Sequence, residues 1–492
     1  MAETNLQSRY YDQKYSILRQ KSLSEIYDEI AEVYLSNSLP WVIGFSGGKD
    51  STATLQLVWY ALKRLPPEKL TKHVYVVASD TLVEAPAIAE RIDSSLRRMN
   101  EAAHAEKLRL TAHKVTPDID ESFWVNLIGR GYPAPYNRFR WCTDRMKIKP
   151  TNRFVKKKVT EHGEVVVVLG VRKAESFTRE QVINLHKITG SRLARHSMLP
   201  GAYVYTPIED FTVKDVWDYL FLEPNPWGAD NMSLRELYES ADGECPLVID
   251  TLTPSCGNTR FGCWVCTVVE KDRSMEAMVE SGDEWMTPML EYRDFLVSTQ
   301  DPANKQGIRS LVRRDGQVWI KNGKLIYGPY DFEFRQELLR RLLRAQQQVR
   351  ELSGDSSIVL IQTEELHAIR RIWRSEENDW TDVLPQIYEE ETGETLDWVQ
   401  DDTSIFGTLE ESVLTEVCQA RGVSPELVKQ LLYTEQEYYG MRRRHQIYTK
   451  IDSIFKRDWR SNEEILSDLA DDEITHPTTV AEMVQQIEVG NQ

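Results

Sequence analysis

Four short stretches set the layout of the first half of the chain: the apolar runs 41–45 and 74–78, residues 108–115, which read as a further strand, and the apolar run 164–169. Each is bounded by polar or breaker residues, and segments with helical spacing separate them. Short continuous apolar runs predict strands buried on both faces. Their alternation with helical segments predicts an α/β fold around a doubly wound, mostly parallel sheet. Residues 8–35 carry Tyr, Ile and Leu at spacings of three and four and predict helix ahead of the first strand. Residues 52–65 repeat that spacing after it, and Thr212 with Asp215 forms the capping box of a further short helix.

The second half has a different rhythm. Residues 300–307 are polar and breaker-rich, and residues 317–327 alternate around Asn322-Gly323, which predicts a hairpin. From Asp331 onward the pattern is helical, with Leu338, Leu339, Leu342, Leu343 and Val349 on one stripe. The expected organisation is a helical segment over 1–36, a nucleotide domain with a cysteine cluster over 37–290, a hairpin subdomain over 308–330 and a mainly helical accessory domain over 331–492 ending in an acidic tail.

The length of 492 residues accommodates several such units, and 41% hydrophobic with 28% charged residues is ordinary for a globular protein. Residues 1–12 carry no apolar signal core and no apolar run approaches a membrane span, so the expected location is cytoplasmic with no membrane partner. Sixty basic against 77 acidic residues give a net charge of −17. A nucleic-acid substrate must therefore meet a local basic channel or a partner protein. One basic island, Arg442, Arg443, Arg444, Lys450, Lys456, Arg457 and Arg460 with Tyr448, Phe455 and Trp459, suits a phosphate backbone or a solvated helix face.

The first apolar run leads into Ser46-Gly-Gly-Lys-Asp-Ser51. Gly47 and Gly48 let the backbone turn and approach a ligand. Amides at a helix start then point at it, Ser46 and Ser51 add hydroxyls, and Lys49 adds charge. The spacing is shorter than that of a Walker loop. The second run delivers Asp80 to a strand's carboxyl end, where it can hold nucleotide or magnesium or else cap the next helix. The fourth delivers Arg172, Ser176 and Arg179, a set suited to gripping phosphate.

Cys256, Cys263 and Cys266 lie within eleven residues and include a C-x-x-C turn. With Cys142 they make four thiolates, suited to structural zinc or an iron–sulfur cluster in a reducing compartment. The remote fourth ligand, beside the nucleotide loops, favours a cluster. Cys245 is an alternative ligand in place of Cys256, or a free thiol able to carry persulfide. Prolines around Cys142 predict a loop, and Arg138, Arg140, Lys147 and Lys149 nearby would favour its thiolate. Cys418, in a helical stretch, reads as a packed core thiol.

These motifs, with Ser79-Asp80-Thr81, Arg140-Trp-Cys-Thr143 and Asn225-Pro-Trp-Gly228, resemble the PAPS reductase-like branch of the ATP-pyrophosphatase (PP-loop) superfamily. Within it they are similar to the DndC family of DNA phosphorothioation sulfurtransferases. The resemblance spans residues 41–272. It implies a 4Fe-4S cluster on Cys142, Cys256, Cys263 and Cys266, and ATP with Mg2+ at Ser46, Gly47, Gly48, Lys49, Asp50, Ser51, Asp80, Arg172, Ser176 and Arg179. Lys49, Asp50, Asp80, Arg172 and Arg179 would be catalytic. Implied partners are a cysteine desulfurase, DndB-, DndD- and DndE-like proteins, and DNA as the substrate. Sulfonucleotide reductases of this branch carry adjacent cysteines where this chain has Cys142-Thr143, and a tail cysteine where its last is Cys418. That departure favours sulfur transfer over reduction. Transfer of sulfur to tRNA and a non-catalytic ATP-sensing scaffold are the other readings of the same motifs.

Overall fold

The computed structural model describes residues 16–175, 181, 184–241, 262–322, 324–398, 406–439 and 444–469. They fall into two compact units, one within Met1–Asp118 and Asn137–Ser281, the other within Ile119–Tyr136 and Gly282–Gln492.

The first unit is built on a six-stranded sheet. After helix α1 (Leu23–Leu35), the chain runs through β1 (Trp41–Gly44), α2 (Lys49–Lys63), β2 (Val74–Ser79), α3 (Pro86–Ala105), β3 (Leu110–Val115), α4 (Lys149–His162) and β4 (Val165–Val168). It continues with β5 (Ala194–Arg195), β6 (Ala202–Tyr205), α5 (Val213–Leu222), α6 (Asn231–Ala241) and α7 (Arg273–Glu280). The strand order is β3-β2-β1-β4-β6-β5, with every pair parallel except β5–β6. Strand order reverses about β1, which lies between β2 and β4. Crevices at the carboxyl edge of a parallel sheet open at such a reversal.

All four predicted strands form, with ends moved by one or two residues. Every residue of β1 and β4 is buried, which explains their unbroken apolar character. Strand β6 lay outside the apolar pattern because Ala202-Tyr-Val-Tyr205 is short and half aromatic; it pairs with β4 from Val165↔Ala202 to Val168↔Tyr205. Thr212 caps α5 through the expected box with Asp215, whose carboxylate also accepts from Ser16 Oγ at 2.5 Å.

The loop predicted around Cys142 is only partly a loop. Trp141 and Cys142 open a helical stretch that passes through a π-turn at Thr143–Ile148 into α4, and Pro150 sits in the first turn of α4. Pro150 has no amide to donate, and it falls directly after the wider π-turn, where the hydrogen-bond ladder changes spacing and the helical path continues past the missing donor.

The second unit contains α8 (Thr287–Ser298), the hairpin β7 (Ile320–Lys321) and β8 (Lys324–Leu325), α9 (Phe332–Ser353), α10 (Thr363–Glu376), α11 (Val383–Thr392), α12 (Thr408–Arg421), α13 (Pro425–Tyr438), α14 (His445–Phe455) and α15 (Asn462–Leu469). The leucine stripe of α9 is wholly buried, and Cys418 is a buried core thiol of α12. The stretch Ile119–Tyr136 belongs to this unit through two indoles: Trp124 Nε1 donates to Leu360 O at 2.7 Å and Trp373 Nε1 to Ile128 O at 3.1 Å.

Candidate nucleotide and thiol site

Where β1 ends, Phe45 N–H still donates to Val77 O at 2.9 Å, and the Phe45 ring meets Trp227 edge-on with centroids 6.2 Å apart. Trp227 also packs against Trp59 at 5.8 Å, so the Asn225-Pro-Trp-Gly segment lies between the end of β1 and the later turns of α2. The chain then leaves the sheet through Gly47, whose φ of +74° is left-handed and favours glycine. The two serines tie the loop to itself. Ser46 N–H donates to Ser51 Oγ at 3.2 Å, and Ser51 Oγ donates to Gly48 O at 3.0 Å.

Helix α2 begins at Lys49, and its N-cap, Gly48, offers no capping side chain. The helix start faces the cleft with its partial positive charge. Lys49 N–H donates to Tyr238 Oη at 3.3 Å. The Lys49 side chain is 1% exposed, its Nζ 3.4 Å from Asp50 Oδ2 and 4.9 Å from the Tyr238 ring centroid.

Asp50 is also bound from the fourth strand. Arg172, with no solvent exposure, donates from Nε to Asp50 Oδ1 at 2.5 Å, and its Nη2 lies 3.7 Å from Glu175. Gly170 allows this approach, since a Cβ there would meet Asp50 O at 2.8 Å and Thr54 Oγ1 at 2.9 Å. The guanidinium expected to grip phosphate thus braces the first turn of the phosphate loop in this structure. Ser176 and Arg179 lie outside the described residues.

Asp80 stands at the end of β2 and caps no helix. Its Oδ1 accepts from Leu82 N–H at 2.9 Å in a tight turn that holds Leu82 at φ +64°, and its Oδ2 is 3.4 Å from Lys114 Nζ. Helix α3 starts later, with Ala85 as N-cap and Pro86 in its first turn.

A cleft opens over the carboxyl ends of β1, β2 and β4. Ser46, Gly47 and Gly48 line one part of it, and Glu84, Lys147 and Gly262 line another. Next to Gly262 is Cys263, whose Sγ is 3.2 Å from Thr81 Oγ1 and donates towards Glu84 Oε1 at 3.8 Å. A backbone bridge between Glu84 and Cys263, with Trp264 N–H donating to Val83 O at 3.0 Å, joins the cysteine turn to the segment after β2.

Cys142 and Cys263 each lie within electrostatic range of Cys266. Cys266 adds to the upward push on both other thiols, after burial as the main cause. Burial pushes Cys142 up to about 11 and Cys263 further still. The expected thiolate-favouring effect of nearby cations is therefore outweighed by desolvation, with Lys147 pulling downward on both. Cys256 and Cys245 lie outside the described residues, and among the described residues no group of three or more His, Cys, Asp or Glu is arranged to hold a metal ion. In kind, cysteine sulfurs are soft donors of the type that suits a thiolate-bound metal group, and Cys142 and Cys263 are both strongly desolvated.

Glu84 and Tyr238 were not legible as site residues. Glu84 read as the start of a helix, and Tyr238 is one tyrosine of an amphipathic helix brought back over the loop by the chain after α5.

The C-terminal basic island is largely neutralised within its own unit. Arg444 pairs with Glu435, Lys450 with Glu437, Lys456 with Asp452, and Arg460 with Asp458 and Asp468. Arg442 and Arg443 lie outside the described residues.

Residues 40–269 match the family described as phosphoadenosine phosphosulfate reductase domain. Among curated proteins the chain is similar to an uncharacterized protein of Methanocaldococcus jannaschii, MJ0066, at 25% identity over 297 residues. The match covers 60% of this chain and 47% of MJ0066, so the chain spans about half the length of that relative. Among solved structures it is similar to the U34-tRNA thiolase NcsA from Methanococcus maripaludis with its 4Fe-4S cluster, at 14% identity and a TM-score of 0.26, over 44% of this chain and 72% of that one. Among the described residues no helix is long and apolar enough to cross a membrane.

Proposed function

We propose that this chain is an ATP-dependent sulfurtransferase of DNA phosphorothioation, which adenylates a non-bridging phosphate oxygen and replaces it with sulfur. The observation that carries this reading is the shared cleft: the Ser46–Gly48 backbone, Glu84, Lys147 and Gly262 line one cavity, and Cys263 directly follows Gly262 with its Sγ held by Thr81 and Glu84. A candidate nucleotide loop with a thiol next to the wall of the same cleft suits activation and sulfur delivery acting on one group.

The transfer itself balances without a redox step. A phosphate oxygen attacks the α-phosphorus of ATP, forming a P–O bond as the bond to the leaving pyrophosphate breaks. Sulfur at the sulfide level then attacks the activated phosphorus of the DNA, forming P–S as AMP departs. Lys49 and the amides of Gly47 and Gly48 are suited to the charge that develops on pyrophosphate. Asp50 and Arg172 keep that loop in shape, and Asp80 is the carboxylate nearest the strand edge for a nucleotide-bound Mg2+. Cys142, Cys263 and Cys266, with Cys256, would hold a 4Fe-4S cluster. When bound, it supplies a thiolate-anchored place for sulfur near the activated phosphate. A cysteine desulfurase is the proposed sulfur source, its persulfide sulfur reaching the sulfide level by two-electron reduction with a thiol that is oxidised to disulfide, and DndB-, DndD- and DndE-like proteins are the proposed partners, in the cytoplasm.

The test is anaerobic incubation with ATP, sulfide and either DNA or tRNA. Pyrophosphate release that requires DNA, with phosphorothioate in the DNA digest, supports the reading. Sulfur gained only by tRNA would move the substrate to RNA.

The family name favours a second reading, reduction of a sulfonucleotide. Cys142 has no neighbouring cysteine to match that branch. Formation of sulfite from phosphoadenosine phosphosulfate would establish this second reading.

A further inference from the structure

The strongest local departure from the acidic balance of the chain lies beside the cleft. Between residues 138 and 158, nine Lys or Arg stand against one acidic residue, Asp144, in a chain of net charge −17. The fold turns this run into a ridge. Helix α4 buries Pro150 and Val155 and leaves Lys149, Arg153, Lys156 and Lys157 exposed. Those four positions recur at helical spacing and make one outward stripe. At 1.5 Å per residue the stripe is about 12 Å long, enough for roughly three or four phosphates of one duplex strand at 3.4 Å spacing.

The inner end of the ridge enters the cleft. Lys147 and Thr151 line the cavity, and Thr151 Oγ1 donates to Lys147 O at 2.9 Å. Local carboxylates compensate the ridge only in part. Arg153 pairs with Asp118 at 2.5 Å and Lys149 with Asp144 at 3.7 Å, both between exposed side chains that a phosphate can replace at small cost. Lys156 and Lys157 form no ion pair at contact distance among the described residues. The C-terminal island, by contrast, spends Arg444, Lys450, Lys456 and Arg460 on its own acids.

We infer that the exposed face of α4 is the docking surface for the backbone of a nucleic-acid substrate, leading it past Lys147 into the cleft. The inference rests on the proposed function for the identity of the substrate, and on charge and continuity with the cleft for the place.

The test titrates full-length protein against a labelled DNA duplex across a salt series, by fluorescence anisotropy. Lys156→Gln with Lys157→Gln removes two phosphate contacts and lowers the salt slope by about 1.8, with binding in dilute salt weakened roughly tenfold or more. Lys156→Glu with Lys157→Glu weakens it further. Lys321→Gln with Lys324→Gln in the hairpin leaves the slope unchanged. Unchanged ATP affinity in the α4 variants establishes that the domain is folded. A wild-type slope and affinity in both α4 variants would overturn the inference, including the case in which the ridge serves an acidic protein instead. Failure of the proposed function reads out separately: DNA bound through α4 without pyrophosphate release sinks that function and leaves the ridge standing.

Discussion

Arg172 Nε donates to Asp50 Oδ1 at 2.5 Å, and this bond joins the end of the fourth strand to the first turn of the phosphate-loop helix. Neither residue is accessible enough for water to replace the other, with Arg172 at 0% and Asp50 at 7% exposure. Removing one partner leaves the other buried charge on longer contacts, Asp50 on Lys49 at 3.4 Å or Arg172 on Glu175 at 3.7 Å. Arg172→Ala or Asp50→Asn should therefore cost about 3–5 kcal/mol and abolish ATP binding. Arg172→Lys, which cannot reproduce the guanidinium geometry, should fall between these and the wild type. Thermal denaturation with and without ATP reads both effects. Wild-type stability in Arg172→Ala would mean that the bond braces nothing.

The same junction depends on Gly170. An added methyl would press on Asp50 O at 2.8 Å, a backbone atom that cannot swing away. Gly170→Ala should destabilise the first unit by about 1–3 kcal/mol and raise the KM for ATP. An unchanged KM would show that the loop tolerates displacement at this point.

A pH effect is expected from the second unit. Burial pushes Glu365 up to about 7 from the ordinary carboxylate value, even though Ser122 and the Gln362 and Trp124 backbone favour its charged form. The folded state then holds a proton that the unfolded chain has released between about pH 4.5 and 7. Stability from this group is present in full below that window, falls as pH rises through it and stays lost above, by about 3 kcal/mol. Glu365→Gln should flatten the fall and raise the melting temperature more at pH 8 than at pH 5. Parallel curves for variant and wild type would contradict it.

Anaerobically purified protein should contain about four iron and four acid-labile sulfide per chain, lost in Cys263→Ser and in Cys142→Ser. One zinc without sulfide would leave the thiols a structural role.

The sheet was legible because β1, β2 and β4 are buried on both faces and so carry unbroken apolar runs. Strand β6 was not, because four residues with two tyrosines make no distinctive pattern. The turn between β1 and α2 was legible because two glycines follow an apolar run and precede a helical spacing. The far wall of the cleft was not: Glu84, Lys147, Gly262 and Tyr238 come from four separate segments, and only folding brings them together. Local charge also misled. Four cations near Cys142 in sequence suggested an acidic thiol, whereas desolvation dominates its environment. For Arg172, sequence placed the residue at the correct strand end but could not supply its partner, because Asp50 lies 122 positions away.

The measurement that bears most directly on the central claim follows ATP labelled at the α-phosphate, with sulfide and DNA, in wild type beside Lys49→Ala. The account predicts AMP and pyrophosphate in step with phosphorothioate in the DNA, and loss of all three in the variant by a factor of about 100 or more. Release of ADP and phosphate, or phosphorothioate formed at wild-type rate without cleavage between the α- and β-phosphates, would contradict it.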